Sequence, residues 1–221
     1  QSAIFASNAV VQLSSTLSGG AITNHGYVEW RAGVLSGTND FVNADDGHVE
    51  LTTSNTKYLR RPLQNHGLVE FNPSPAHLMK LRDPGVVTNH VSGVITFARN
   101  AGFDADTGSK VDIKVVNYGT ITASGSGQSP SRLGVPLINH GTVEAAGVLM
   151  VGDGANHGIL DTPTGASEIQ FRLGDFSLEA GTVLSGPGRI WAFETGSLRV
   201  NTPITCSNTF GTANIGGNTP N

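Results

Sequence analysis

The chain alternates between two kinds of residue over many short stretches. In Ile22–Trp30, apolar, small or amide residues occupy every second position, and Thr23, His25, Tyr27 and Glu29 fall between them. A period of two is typical of a β-strand with one buried face. Gly, Asn, Thr and Ser separate such stretches along the chain, so we expect many short strands joined by tight turns and no long helices.

An Asn-His-Gly motif followed by an apolar residue and a carboxylate organises these strands. Its clearest copy is Leu137–Ala145, and variants of it recur along most of the chain. Successive motif asparagines are 19, 22, 24, 28, 22 and 17 residues apart, a mean of 22. They are Asn24, Asn43, Asn65, Asn89, Asn117, Asn139 and Asn156.

This spacing is too short for a pair of helices and fits one coil of a β-solenoid with two or three strands. Asn tolerates the left-handed conformation that a sharp corner requires, and its amide both donates and accepts hydrogen bonds. In coils stacked about 4.8 Å apart, one Asn per coil would form a continuous ladder. Glycines later in the motif would permit close approach or a positive φ at the corner. These corner glycines are Gly26, Gly47, Gly67, Gly93, Gly119, Gly141 and Gly158.

We therefore expect an all-β, single-domain parallel β-helix of about 8–9 coils, with roughly 22 residues per coil. Residues 1–18 precede the first motif and form an N-terminal strand or cap, and residues 19–205 form the helix. After Asp161 the strands continue without the Asn corner. Residues 206–221 are a polar tail, and we expect either a flexible tail or a strand that orders only against a neighbour on assembly.

The Asn-X-Gly-X-(Val/Ile) coils, together with Ala180–Gly188, resemble a known group of repeats. They are similar to the parallel β-helix repeats of secreted bacterial adhesins, autotransporter passenger domains and phage tailspikes. The resemblance covers roughly residues 19–205. It implies a right-handed coil and a secreted, extracellular or cell-surface location. It says little about function, because such proteins share coils and little else.

Three segments between motifs differ in composition, and we expect them to be loops that project from the coils. They are the basic segment Thr53–Arg61, the proline-containing segment Pro73–Gly85, which allows one short helical turn, and the Ser- and Gly-rich segment Ser124–Pro136. Loops are where a repeat scaffold usually carries its specificity. The candidate ligand loop comprises Tyr58, Arg60 and Arg61.

If the coils stack in register, the residues after the motif asparagines form a column on one outer corner. Neighbouring imidazoles about 5 Å apart have the spacing to share a transition metal. In the alternative interpretation, which we favour, they only shield the corner and stack on one another, so we expect neither a metal nor a cofactor. The column contains His25, His66, His90, Tyr118, His140 and His157, of which His25, His66, His140 and His157 are the candidate metal ligands.

A second column is acidic. Carboxylates in line can bind calcium or a cationic partner, or act as an acid–base pair in a glycosidase. Like charges at one-coil spacing repel, so we expect instead that they are solvated or paired with basic residues. The column contains Glu29, Glu50, Glu70, Glu144 and Asp161, interrupted by Thr96 and Thr122.

One segment bears on enzymatic activity. Asp45, Asp46 and His48 resemble the Asp and His elements of polysaccharide-cleaving β-helix enzymes such as polygalacturonases. In that family these elements are spread over successive coils, whereas here they are compressed into one corner. We therefore expect the chain not to be an enzyme.

Composition excludes several partners. Charged residues make up 14% of the chain, with 17 acidic against 13 basic side chains and a net charge of -4, so nothing favours binding to a nucleic-acid backbone. No apolar run approaches the roughly 18–20 residues that span a bilayer. The single cysteine, Cys206, excludes an intrachain disulfide.

The function most consistent with these patterns is that of an extracellular structural protein. Each coil satisfies its backbone on its neighbours, so the end coils have unpaired groups that must be capped or joined. We expect self-association, end to end or by strand donation, into a filament, fibre or array. The alternative is an adhesin or tailspike module that binds glycans through its loops. A second alternative is a polysaccharide lyase or hydrolase of the β-helix type.

Overall fold

The computed structural model describes residues 2–72, 78–106, 112–172, 174–193 and 196–206. Every regular element in these ranges is a β-strand. Across the same ranges, no helix has the length and apolar character needed to cross a membrane.

The strands form a parallel β-solenoid of about nine turns with about 22 residues per turn, which confirms the predicted fold. Each complete turn contributes one strand to each of three sheets, and all paired strands within the sheets are parallel.

Sheet 1 contains ten strands. They are β1 (Ala3–Phe5), β4 (Ile22–Asn24), β7 (Phe41–Asn43), β10 (Leu63–Asn65), β13 (Val86–Asn89), β16 (Lys114–Asn117), β19 (Leu137–Asn139), β22 (Gly154–Asn156), β25 (Asp175–Leu178) and β28 (Ser197–Val200).

Sheet 2 follows sheet 1 around the corner that contains the Asn and Gly residues, and it also has ten strands. They are β2 (Val10–Leu13), β5 (Tyr27–Trp30), β8 (His48–Leu51), β11 (Leu68–Phe71), β14 (Val94–Phe97), β17 (Thr120–Ala123), β20 (Thr142–Ala145), β23 (Ile159–Asp161), β26 (Val183–Ser185) and β29 (Thr205–Cys206).

Sheet 3 closes each turn and has nine strands. They are β3 (Leu17–Ser18), β6 (Gly33–Ser36), β9 (Lys57–Arg60), β12 (Leu78–Leu81), β15 (Gly102–Ala105), β18 (Ser131–Gly134), β21 (Val148–Val151), β24 (Glu168–Arg172) and β27 (Arg189–Phe193).

The period-two pattern determines which side chains fill the interior. In β11, for example, Val69 and Phe71 are buried while Leu68 and Glu70 lie on the outer side. The inward side chains form one continuous apolar core along the coil. Phe71 packs edge-to-face against Phe97 and Phe103, with ring centroids 4.9 and 5.4 Å apart. Burying each such ring contributes about 1.5–3 kcal/mol to stability.

The three predicted loops are wrong in part, because each contains a strand of sheet 3. Strand β9 lies within the segment 53–61, β12 lies within 73–85, and β18 lies within 124–136. Polar residues such as Lys57 and Ser131 occupy inward positions in these strands, so the alternation of apolar and polar residues could not be recognised from the sequence. The helical turn expected in the second segment falls partly on residues 73–77, outside the described residues, and the remainder is not helical.

The two ends of the described chain also contribute strands to the coils. Residues 3–18, expected to be a strand or cap, supply β1, β2 and β3 and so complete a first coil. At the other end Cys206 closes β29 as a free thiol. The predicted tail beyond it, residues 207–221, lies outside the described residues.

Candidate functional site

The seven motif asparagines form the predicted ladder in the interior of the solenoid. All are fully buried, and each sits in register with the next. The side-chain Nδ2 of each Asn donates to Oδ1 of the next over 2.6–2.8 Å. The same Nδ2 group also contacts the carbonyl oxygen of its own corner glycine, for example Gly67 for Asn65.

The ladder has one direction and two ends. Every amide donates toward the C-terminal coils, so the last amide, that of Asn156, needs a different acceptor. Thr182 Oγ1 fills this role at 3.0 Å. At the other end Phe5 stands opposite Asn24 in the first coil. The Asn motif did not predict these two residues, because neither is an amide.

The conformation of the corner differs from the expectation. Of the described non-glycine residues, only Thr53, Asn100 and Asp112 have positive φ, so the ladder asparagines are not left-handed. The corner glycines have no positive φ either. They are needed for close approach: a Cβ on Gly141 would clash with the carbonyl oxygen of Gly119 in the preceding coil. The requirement for glycine at the corner therefore comes from the short distance between stacked coils.

The predicted histidine column exists as two stacks of rings on the outer corner. The rings of His66 and His90 are parallel with centroids 3.9 Å apart. Tyr118 stacks on His140 at 5.1 Å, and His140 stacks on His157 at 4.8 Å. Burial, with the His66 imidazole as second cause, lowers the pKa of His90.

Two further residues belong to this column by backbone position. Ala44 and Glu179 each follow a ladder position, and their N–H groups bond the preceding coil as those of the histidines do. Ala44 interrupts the column between His25 and His66, and Glu179 follows His157. Across the described ranges, no group of three or more His, Cys, Asp or Glu residues is arranged to hold a metal ion.

The acidic column is in register on the outer face of sheet 2, and its members have individual partners. Glu29 pairs in the strand ladder with Glu50, and Glu50 pairs with Glu70. A hydrogen bond from Arg31 is the largest cause that lowers the pKa of Glu29, and Thr52 and Gln12 add to it.

Glu50 and Glu70 are bound by an aromatic pair instead of by Lys or Arg. The Tyr27 hydroxyl donates to Glu50, and burial together with this bond and the charge of Glu50 raises the pKa of Tyr27. His48 Nε2 lies 3.1 Å from Glu70 Oε2. Tyr27 and His48 meet edge-to-face with centroids 5.2 Å apart. The column is thus partly paired, as the repulsion argument requires.

The three residues that resemble a hydrolase motif do not converge on one another. Asp46 Oδ1 lies 2.8 Å from His25 Nδ1, and Asp45 Oδ1 accepts a bond from Ser92 Oγ over 2.7 Å. His48 uses Glu70, as described above. Each residue therefore has its own partner on another coil, one coil away for Asp46 and His48 and two coils away for Asp45.

The structure separates the residues of the predicted ligand loop. Tyr58 and Arg60 lie on the outer face of β9, with the Arg60 guanidinium 5.6 Å from the Tyr58 ring centroid. Arg61 is fully buried, so its assignment to a projecting loop is wrong. Burial lowers its pKa, and its guanidinium donates to the carbonyl oxygens of Gly20, Ser36, Asn39 and Asp40.

Lys57 is a second buried cation that the sequence pattern did not predict. Its Nζ donates to the carbonyl oxygens of Thr53 and Asn55, each over 2.9 Å. Burial lowers the pKa of Lys57 to about 8. Lys57 and Arg61 thus bind the turns between coils, which explains why a basic segment lies inside a strand region.

A shallow groove of about 140 Å³ opens on the outer face of sheet 3. It lies where two outward positions in successive strands are glycine, Gly134 and Gly152. The side chains that border it are those of the charged residues Asp104, Arg132 and Arg172 and of the apolar residue Met150.

Compared with protein-family models, with curated proteins and with solved structures, the chain matches none.

Proposed function

We propose that this chain is a structural β-solenoid that associates with a second copy of itself by stacking coil on coil. The observation that carries the proposal is the character of the first coil. Among the described residues, strands β1, β2 and β3 each have a hydrogen-bonded neighbour on one side only. Their other edges present unpaired N–H and C=O groups that template the addition of a further strand.

The first coil lacks the features that protect strand edges in other proteins. Natural edges carry charged residues, prolines or bulges that block further pairing. Residues 2–21 contain no Asp, Glu, Lys, Arg or Pro. Two apolar side chains of this coil are also exposed, Ile4 at 74% and Val10 at 69%. These strand edges are therefore suited to pairing with the strands of another molecule.

A second copy supplies a matching edge. Strands β28 and β29 are the outermost strands of sheets 1 and 2 at the opposite end. Head-to-tail stacking would let β1 and β2 of one copy pair in parallel with β28 and β29 of the next. Such a contact joins different surfaces and does not close on itself, so it extends into a filament. Extracellular or cell-surface location is part of this proposal and is supported by the resemblance to secreted β-helix repeats.

The experiment is a concentration series of the purified chain by light scattering and negative-stain microscopy. We expect particles that lengthen with concentration. Ile4→Lys with Val10→Lys places charges on the exposed edge without touching the core, and it should leave the chain monomeric. Ile159→Lys, at another exposed apolar position, is the matched control and should still associate. A wild-type chain that stays monomeric at high concentration would overturn the proposal.

Glycan binding is the second candidate, in line with adhesin and tailspike modules. The observation in its favour is the outward, half-buried aromatic and cationic pair of Tyr58 and Arg60 on sheet 3. Aromatic faces and guanidinium groups suit the apolar faces and hydroxyls of sugars. A glycan array with wild type and Tyr58→Ala tests it, and identical profiles for the two would remove this pair from consideration.

We propose no catalytic role for Asp45, Asp46 and His48, the residues of the polysaccharide lyase or hydrolase alternative. The support is that each binds a different residue on another coil. Incubation with polyuronides tests this directly. New reducing ends or unsaturated products that disappear in Asp45→Asn or Asp46→Asn would contradict it.

A further inference from the structure

Two glycines on sheet 3 occupy positions where the fold does not require glycine. Neither Gly134 nor Gly152 has a positive φ. A Cβ on Gly152 would find its nearest neighbour at 3.5 Å, an ordinary contact. A Cβ on Gly134 would come within 2.9 Å of Asp104 Oδ1 and 3.1 Å of Arg132 Cδ, so these side chains, and no backbone atom, would have to shift. Gly134 ends β18 and Gly152 directly follows β21, and a glycine at such a position costs conformational entropy on folding and can mark a place where a ligand approaches the backbone.

The two glycines interrupt a continuous row of outward side chains. Tyr58, Lys80 and Asp104 stand in register on successive coils, and Asp104 is paired with Gly134. Gly152 follows Val151 in the next strand, which is paired with Leu133, the residue before Gly134. The row therefore lacks side chains at Gly134 and Gly152, and residues with side chains occupy it again in the following coil.

The walls of the gap carry complementary chemistry. Asp104 stands at one end and Arg172 at the other, and Arg132 and Met150 line the side. Asp104 Oδ2 is held loosely, 3.7 Å from Lys80 Nζ and 3.6 Å from Arg132 Nη1. Both distances exceed those of a good hydrogen bond, so this oxygen can accept one from a ligand hydroxyl.

The shape and charge of the groove limit its occupant. A volume of 140 Å³ equals roughly four or five waters at about 30 Å³ each, too small to enclose a large ligand. It is suited to one flat unit of a longer chain lying on the sheet. The glycine Cα atoms and Met150 offer an apolar floor and side, Asp104 accepts from hydroxyls, and the two guanidinium groups bind a carboxylate.

We infer that this groove binds a uronate residue of an acidic polysaccharide. The carboxylate lies against Arg132 and Arg172, a ring hydroxyl donates to Asp104, and one face of the ring rests on Gly134 and Gly152. The inference shares glycan binding with the second candidate function but uses different residues. It is independent of coil stacking, since the groove is on the outer face of the middle coils.

The test is calorimetric titration of the full chain with oligogalacturonate. Gly152→Val fills the groove with a residue that strands favour, and it should keep the melting temperature while weakening binding at least about tenfold. Arg172→Gln should weaken binding similarly because it removes the charge-assisted bond. If Gly152→Val does not fold, Arg172→Gln alone decides.

Matched control variants distinguish the groove from the rest of the protein surface. Thr88→Val makes a similar change on the outer face of sheet 1, and Arg199→Gln removes an exposed arginine there; both should bind like wild type. Tyr58→Ala should also bind normally, which separates this site from the Tyr58–Arg60 pair. A cello-oligosaccharide should not bind. Absence of oligogalacturonate binding, equal binding of poly-glutamate, or unchanged binding by both groove variants would overturn the inference.

Discussion

Thr182 Oγ1 accepts the last side-chain bond of the asparagine ladder from Asn156 Nδ2 over 3.0 Å, and its hydroxyl donates to the Asn156 carbonyl oxygen over 2.7 Å. A hydroxyl can accept one bond and donate another, so it ends a chain of amides without leaving a buried donor unpaired. The ladder is therefore a closed system of hydrogen bonds, and its interior members should matter more than its end.

The first prediction compares the middle of the ladder with its end. Asn117→Ala leaves the amide of Asn89 without its side-chain acceptor, although not without backbone acceptors, and leaves Asn139 Oδ1 without its Asn117 donor, so it should lower the free energy of unfolding by about 2–5 kcal/mol. Thr182→Val removes one acceptor and one donor and should cost about 1–2 kcal/mol. Denaturant unfolding measures both, with Asn55→Ala outside the ladder as control. Equal losses for all three would contradict the ladder.

The second prediction contrasts two glycines. Gly141→Ala forces a Cβ into the backbone of the preceding coil, at Gly119 and Tyr118, and should cost about 3 kcal/mol or prevent folding. Gly152→Ala places the same methyl group in ordinary van der Waals contact, 3.5 Å from the Leu133 carbonyl oxygen, and should stabilise by about 0.5–1 kcal/mol. Thermal unfolding of the two variants checks this. A stabilised Gly141→Ala would show that the corner is not limited by stacking distance.

The sequence was sufficient to predict the motif-containing coils of sheets 1 and 2 and the position of the corner between them, although not the backbone conformation of that corner. At this corner one motif repeats the same residue types in each coil, and copies such as Asn43 and Asn89 are recognisable despite two extra residues before their glycines. A repeat with a polar residue that must face its own copies determines the register of its strands. That is why the ladder could be predicted residue by residue.

Sheet 3 was not predictable in the same way. Its strands contain inward polar residues, such as Lys57 and Ser131, that a period-two pattern counts as outward. Their partners are backbone carbonyls, for example that of Ala98 for Ser131 Oγ, and a sequence does not show which carbonyls lie nearby. The groove at Gly134 and Gly152 depends on the registration of these strands, so it too needed coordinates.

The third prediction tests the fully buried Arg61 against its half-buried, outward-facing neighbour Arg60. Arg61→Ala removes the guanidinium that donates to four carbonyl oxygens of two neighbouring segments, of which that of Asp40 keeps a bond from Ile22 N–H, and it should cost about 3 kcal/mol or more. Arg60→Ala, one residue away on the outer face, should change stability by less than about 0.5 kcal/mol. The measurement is the denaturation midpoint of each. A mild Arg61→Ala would show that water replaces the guanidinium at these carbonyls.

The last prediction concerns pH and the stacked pair of His66 and His90. Burial, and secondarily the His66 imidazole, lowers the pKa of His90 below its unfolded value of about 6.5. The unfolded chain then binds more protons than the folded one as pH falls below about 6.5, so stability should decrease over that interval until the folded His90 is itself protonated. His66→Asn removes the neighbouring charge but not the burial, so it should raise the pKa of His90 only part of the way to its usual value.

Histidine NMR titration measures the pKa of His90 directly, and denaturation at several pH values measures its effect on stability. Because His90→Asn removes the titrating group, it should flatten the pH dependence further than His66→Asn does. A His90 titration that His66→Asn leaves unchanged would mean that the 3.9 Å stack carries no electrostatic coupling.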